Sequence, residues 1–170
     1  VSFAARVDPE ASGGTVITGS NAVNRDYSIS ENWERRSFVF TAPADTTDVF
    51  LRFGQWHKSG KVWFDSVELR PAVALHRQLG KVKLGDGEAI QNGIYTARPN
   101  FQGEGSNSAR TLFSHTARFN SNRWVMGTGS EVIYRHRVGD YRQKNASVAV
   151  QIGYYQSGKC TVEASRDGHN

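Results

Sequence analysis

Cysteine is nearly absent from this chain of 170 residues, which contains only Cys160. An intramolecular disulfide and a zinc site built from several cysteines are therefore excluded. The residues around Cys160 predict a strand in which the thiol is a small buried group. Because a bacterial secreted protein can fold without disulfides, the scarcity of cysteine does not favour the cytosol.

Long apolar runs and helical periodicity are lacking as well. No stretch approaches the roughly 20 apolar residues of a transmembrane helix, and no basic start leads into an apolar core as in a signal peptide. Glycine is abundant instead, with 17 residues, and aromatic residues make up 11% of the chain. Short runs with period-two alternation between polar turns predict an all-β antiparallel sandwich.

A hairpin over residues 48–69 is the strongest structural pattern. Val49, Leu51 and Phe53 alternate with other side chains, as in a half-buried strand. A polar turn ending at Gly60 follows, and the second run carries Asp65 inside an apolar strand. Aspartate is depleted in strands, so we expect a local partner that compensates its carboxylate.

Charge divides the chain into two parts. Residues 1–70 hold eight Lys/Arg and nine Asp/Glu, whereas residues 71–170 hold thirteen Lys/Arg and seven Asp/Glu, a balance of +6. The basic part could attract an acidic polymer such as DNA or a uronic-acid glycan. Its arginines are scattered without a basic block or a groove-reading helix, which favours a solvated mixed-charge surface and no nucleic-acid partner.

Signatures of catalysis are thin. Histidines are scattered without metal-ligand spacing, and neither a nucleophile elbow nor a phosphate-binding glycine loop occurs. Asp86 and Glu88 could in principle form a glycosidase pair. They lie in a glycine-rich turn, where aspartate is ordinary turn chemistry. We therefore predict that these residues form no enzyme active site.

Residues suited to sugar binding are better supplied. The apolar faces of sugar rings stack on exposed aromatic side chains, while hydroxyls require amides, carboxylates and guanidinium groups beside them. Trp56 lies at the polar end of the predicted hairpin and is the best candidate. Gln55 and Arg52 could lie beside it, and Tyr27 is a second aromatic candidate.

Residues 1–70 resemble the second half of a family 4/9-type carbohydrate-binding module. The resemblance is carried by Trp33 before the run 37–43, then by 49–53, then by the Gly-x-aromatic-aromatic-Asp pattern within 60–69. Ser66 stands where the family has a second Asp. The resemblance implies a jelly-roll sandwich that binds polysaccharide and belongs to a secreted, extracellular protein with an attached glycoside hydrolase. It also places Trp33 and Trp63 at structural sheet positions.

The same family often holds a structural calcium ion near its last strands. The resemblance therefore implies Asp65 as a possible calcium ligand, since carboxylate oxygens suit this hard cation. The alternative is that Asp65 accepts hydrogen bonds from backbone amides at a strand irregularity.

Residues 77–170 predict a second sandwich after a linker at 71–76. Strands are expected at 131–138, 147–155 and 159–164. The ending Val-Glu-Ala-Ser-Arg-Asp-Gly resembles a turn of galactose-binding-like, discoidin-type sandwiches. A strand at the first residue and a turn at the last predict two part-domains, each cut from a longer polypeptide.

Three functions are compatible with these patterns. The favoured one is non-catalytic binding of a polysaccharide or oligosaccharide by a fragment of a larger secreted bacterial protein. In this interpretation catalytic or further binding domains are covalently attached in the parent chain, and neither nucleic acid nor membrane is a partner. The alternatives are a structural or adhesive cell-surface sandwich without a tight ligand, and an accessory part of a glycoside hydrolase or polysaccharide lyase.

Overall fold

The computed structural model describes residues 1–105 and 107–168. Fourteen strands and no helix occur in these residues, which confirms the predicted all-β class. Accordingly, the described part of the chain contains no helix long and apolar enough to cross a membrane.

The strands are short and are joined by turns and exposed loops. In chain order they are β1 (Ser2–Val7), β2 (Thr15–Ser20), β3 (Val23–Tyr27), β4 (Glu34–Ser37), β5 (Leu51–Trp56), β6 (Val62–Glu68), β7 (Arg77–Leu79), β8 (Val82–Leu84), β9 (Glu88–Gln91), β10 (Ile94–Ala97), β11 (Leu112–His115), β12 (Arg118–Asn120), β13 (Arg123–Val125) and β14 (Val132–Tyr134).

Two sheets pack face to face around the main core. One has three strands in the order β4-β1-β6, and the other has five in the order β13-β12-β3-β2-β5. Alternate residues of β1 point inward from the first sheet, and Val16, Val23 and Phe119 point inward from the second. The predicted hairpin 48–69 supplies β5 to one sheet and β6 to the other, so its two halves do not pair directly.

Phe3 is the centre of this core and is 2% exposed. Its ring lies 5.5 Å from Tyr27, 5.6 Å from Phe53 and 6.1 Å from Phe64, measured between centroids. These contacts join β1 and β6 of one sheet to β3 and β5 of the other. Edge-to-face aromatic pairs of this kind each add about 0.5–1.5 kcal/mol beyond the burial of their surface.

Residues from the basic part of the chain complete the five-stranded sheet. Strand β12 pairs with β3 in parallel, with Phe119 opposite Val23 and Asn120 opposite Asn24. Phe119 is 1% exposed and belongs to the same core cluster as Phe3. The two charge segments therefore share one sheet and one core.

The compact units of the chain differ from the predicted division. Val1–Asp140 forms one unit and Tyr141–Asn170 the other. The predicted linker 71–76 is exposed and contains no strand, but it lies inside the first unit. Neither charge balance nor Pro71 could reveal that β12 returns to pair with β3.

Small hairpins follow the linker. Strands β7 and β8 pair, as do β9 and β10. Val82, Leu84 and Val138 form a second, smaller core cluster, with Ile90 and Tyr95 packed against it. Strand β11 pairs with β14, so the predicted strand at 131–138 is present in shortened form.

The predicted strands at 147–155 and 159–164 are wrong. The described residues of the second unit contain no strand, and Val148, Ile152 and Tyr154 are 60% or more exposed. Cys160 is exposed as well, which contradicts its predicted burial. Alternating side chains give a strand only where another strand satisfies its backbone groups, and no such partner pairs with these residues.

Replacing Phe119 with Ala tests whether β12 is an integral part of the first unit. We expect the free energy of unfolding to fall by about 3–5 kcal/mol, because the change leaves a cavity in the main core. Phe50→Ala is the control, since the Phe50 ring is 54% exposed; its expected effect is within about 0.5 kcal/mol. Denaturant unfolding measures both, and equal effects would contradict the assignment of Phe119 to the core.

Candidate functional site

The outer face of the five-stranded sheet carries most of the sequence-predicted sugar-binding chemistry. Residues directly opposite each other in a sheet point to the same face. Trp56 is opposite Thr15, and Arg52 and Asn24 are both opposite Gly19. Asn120 follows beside Asn24. We call this set the polar face, with members Thr15, Asn24, Asp26, Arg52, Trp56 and Asn120.

Hydrogen bonds connect the polar face across its strands. The Nη2 atom of Arg52 donates to Oδ1 of Asn24 at 2.7 Å. The Nδ2 atom of Asn24 lies 3.3 Å from Oδ1 of Asn120 and 3.4 Å from Oδ2 of Asp26. Thr15 donates its hydroxyl to Oδ1 of Asp26 at 3.2 Å. The face therefore presents amide, carboxylate and guanidinium groups that hold one another in place.

Trp56 ends the edge strand β5 and is 61% exposed. Its ring contacts the His57 ring edge-on at 4.6 Å. A turn packs closely behind it: Gly14 has φ +42°, and a Cβ there would lie 1.9 Å from the Trp56 carbonyl oxygen. Only glycine fits this position, and Lys58 further ties the turn by donating from Nζ to the Gly13 carbonyl at 3.0 Å. The indole is thus exposed on a well-supported backbone.

A small depression adjoins the opposite end of the polar face. It measures about 180 Å³ and is lined by Arg25, Asp26, Gln102, Ser121 and Asn122. Arg25 is 7% exposed and donates to the carbonyl oxygens of Ser121 at 2.6 Å and of Gly103 at 2.7 Å. This buried cation fixes both loops. Strand β3, which carries Asp26, is two strand spacings, or about 10 Å, from the β5 edge that carries Trp56.

The structure separates the four predicted binding residues. Trp56 and Arg52 share the polar face. Gln55 is opposite Val16 and so points to the other face, at the exposed sheet edge. Tyr27 lies half-buried in the core, where its hydroxyl donates to the Ser37 carbonyl at 3.0 Å and burial raises its pKa. Alternation along β5 and β3 explains both placements, because neighbouring residues point to opposite faces.

Asn24, Asp26 and Asn120 were missed by sequence reasoning. The alternation of Asn24 and Asp26 with Arg25 and Tyr27 was visible in the sequence and would have placed the two polar side chains on one face. Asn120 carried no such signal, because its position depends on the parallel pairing of β12 with β3.

Asp65 has a local backbone partner. Its Oδ1 accepts a hydrogen bond from the Ser66 amide at 2.6 Å. Ser66 has φ +49°, and the β1–β6 register shifts at this point. The carboxylate thus stabilises a strand irregularity. No group of three or more His, Cys, Asp or Glu side chains in the described ranges could hold a metal ion. Calcium binding at Asp65 stays a prediction of the resemblance.

Trp33 and Trp63 flank a cation on the outer face of the other sheet. The Arg6 guanidinium lies 4.4 Å from the Trp63 ring centroid and 5.3 Å from that of Trp33. Trp63 occupies a strand position as predicted, whereas Trp33 precedes β4 and is 51% exposed. Cation–π contacts of this kind are worth about 0.5–2 kcal/mol, so both rings have a packing role.

Glu88 is buried and does not form an acid pair with Asp86. It is 4% exposed, whereas Asp86 lies on the surface. Glu88 accepts hydrogen bonds from Arg110 Nε at 2.6 Å, the Tyr95 hydroxyl at 2.6 Å and the Gly85 amide at 2.5 Å. Burial alone would raise the pKa of Glu88, but these donors outweigh burial and lower it.

His136 continues this chain of hydrogen bonds. The Tyr95 hydroxyl lies 3.0 Å from His136 Nδ1, and the pKa of Tyr95 is raised by burial and by the Glu88 carboxylate. Burial lowers the pKa of His136 and so favours its neutral form near pH 7. Sequence reasoning missed this arrangement because Arg110, Tyr95 and His136 come from separate elements.

The fold and these sites define the chain as an all-β protein whose two packed sheets carry an aromatic-and-amide outer face. No family model matches the chain, and neither a curated protein nor a solved structure is significantly similar to it.

Replacing Glu88 with Gln tests the buried ion pair. Because the pKa of Glu88 is lowered on folding, its stabilisation is complete above the ordinary value of 4.5 and is lost as the pH falls through the lowered value. At pH 7 we expect the variant to lose on the order of 3 kcal/mol of unfolding free energy, since Arg110 is left without its partner. Denaturant unfolding should show this deficit shrinking as the pH falls below 4.5.

Glu131→Gln is the matched control, because Glu131 is exposed and forms no ion pair among the described residues. Its expected effect is small at every pH. A deficit for Glu88→Gln that does not change with pH would contradict the proposed linkage.

Proposed function

We propose that this protein binds a polysaccharide or oligosaccharide on the polar face, beside Trp56, and that it performs no catalysis there. The observation that carries the proposal is the exposed Trp56 ring on the same face as the hydrogen-bonded row formed by Arg52, Asn24 and Asn120. One sheet face thus combines an apolar platform with groups that pair with hydroxyls.

The chemistry of a sugar ring matches both parts of this face. Its C–H faces pack on an indole, and its hydroxyls donate to carboxylate and amide oxygens and accept from guanidinium and amide N–H groups. Hydrogen bonds among the side chains of the polar face limit their motion before a ligand arrives. This lowers the conformational entropy lost on binding.

The sequence resemblance to a carbohydrate-binding module supports the same proposal. On the same ground we propose that the chain belongs to a secreted, extracellular protein whose further domains bind or cleave glycans. The proposed architecture is a jelly-roll variant of the sandwich. The proposed site does not involve Asp65, which lies on β6 of the other sheet.

The exposed Trp56 ring favours binding over a purely structural or adhesive role. Isolated exposed apolar side chains are ordinary on protein surfaces, but the Trp56 ring shares its face with Arg52 and the hydrogen-bonded Asn24. Catalysis is less well supported, since Glu88 is held by Arg110 and Asp86 lies apart from it on the surface.

Replacing Trp56 with Ala is the direct test. Affinity electrophoresis and calorimetry against a panel of plant, bacterial and acidic polysaccharides should identify a ligand for the parent protein. For that ligand we expect Trp56→Ala to weaken binding by about 2 kcal/mol, or roughly thirtyfold, because the stacking platform is lost.

Trp33→Ala is the matched control, since it removes another exposed indole, which lies beside Arg6 of the other sheet. Its affinity should equal that of the parent. Absence of binding to every glycan, or equal loss in the two variants, would contradict a site at Trp56. We also expect Asn24→Ala to weaken the binding of the same ligand, because it removes the amide that joins Arg52 to Asn120.

A further inference from the structure

Three arginines meet at a depression away from the polar face. The depression measures about 150 Å³ and is lined by Arg110, Arg135 and Arg137, together with Thr111, Leu112 and Phe113. Strands β11 and β14 border it, and the backbone amide of Arg135 continues their pairing by donating to the Thr111 carbonyl at 2.7 Å.

Two of these arginines carry uncompensated charge. Arg110 is paired with Glu88 through its Nε and Nη2 atoms, so its Nη1 group lies outside this ion pair. Arg135 and Arg137 are exposed and form no ion pair within the described ranges. Two positive charges therefore converge on one depression, in the part of the chain with a balance of +6.

Two of the three guanidinium groups, those of Arg135 and Arg110, are also held in position. The Arg135 guanidinium carbon lies 3.6 Å from the centre of the Phe113 ring, so its plane is supported by an aromatic surface. Arg110 is fixed by the nearly buried Glu88 carboxylate. Stacked and bidentate arginines present their N–H groups in a fixed fork, which is the geometry that carboxylate, sulfate and phosphate groups accept.

We propose that this depression is a binding site for a single oxyanion group, namely the carboxylate, sulfate or phosphate of a small or saccharide ligand. Arg135 and Arg137 supply the charge, and Arg110 supplies a third donor from the wall. The site is distinct from the polar face and does not depend on Trp56.

The dimensions favour one anionic group over a nucleic-acid backbone. At about 30 Å³ for each water in the liquid, the depression has room for a group of a few heavy atoms. Arg98 and Arg118, which are also exposed in this unit, line no part of the depression.

The experiment is a titration of the ¹⁵N-labelled chain with sodium sulfate, sodium phosphate or a uronic-acid trisaccharide at constant ionic strength. Nuclear magnetic resonance of the arginine Nε–H groups reports contact directly. We expect saturable shifts of the Arg135 and Arg137 signals with at least one probe, and the probe that saturates first identifies the kind of oxyanion.

The double variant Arg135→Gln with Arg137→Gln should lower the affinity for that probe by about tenfold or more, since charge-assisted hydrogen bonds are lost. Lys83→Gln with Arg98→Gln removes the same charge from exposed residues of this unit that do not line the depression, and should change the affinity by less than about twofold. The proposal would be overturned if both double variants lost the same affinity, or if the shifts did not saturate with any probe. It would also be overturned if duplex DNA bound more tightly than the probes and both double variants weakened that binding equally.

Discussion

The parallel pairing of β12 with β3 is the constraint on which the rest of the first unit depends. It places Phe119 in the core with Phe3 and, through the next residue, brings Asn120 beside Asn24 on the outer surface. One register therefore determines both the closure of the core and the composition of the polar face. A slip of one residue would exchange the two, turning Asn120 inward and Phe119 outward.

The two faces of the five-stranded sheet have complementary roles. On the inner face, apolar rings exclude water and fix the backbone; on the outer face, the same backbone holds amide and carboxylate groups at sheet spacing. Trp56 points to the outer face because it lies three residues after the inward-pointing Phe53, and successive side chains of a strand point to opposite faces. Tyr27 and Gln55 are chemically suited to sugars as well, but their positions along β3 and β5 turn them to the inner face.

Local patterns predicted much of this fold. The alternation in 48–69 placed β5 and β6, and the conflict between Asp65 and its strand indicated an irregularity, which is present at Ser66. Sequence also predicted that Arg52 lies beside Trp56, and these two residues, four positions apart along β5, share one face. In each case the physical cause lies within a few residues of its effect.

Non-local relations were beyond this reach. The return of β12 to β3 spans nearly a hundred residues and has no periodic signal of its own, so charge balance could not indicate it. Conversely, residues 147–155 have strong alternation and no partner in the sheets, which left them without a strand. The burial of Glu88 could not be predicted from the sequence either, because Tyr95 and Arg110, which donate hydrogen bonds to it, come from other segments of the chain.

The exposed connection 71–76 has a mechanical consequence. Because the strands before and after it share one sheet and one core, a protease that cuts there would break the chain without separating its parts. Residues before and after the cut would remain associated, as two halves of a split protein do. Expressed separately, they would also be expected to find each other, so the covalent link at this point serves mainly to raise their local concentration.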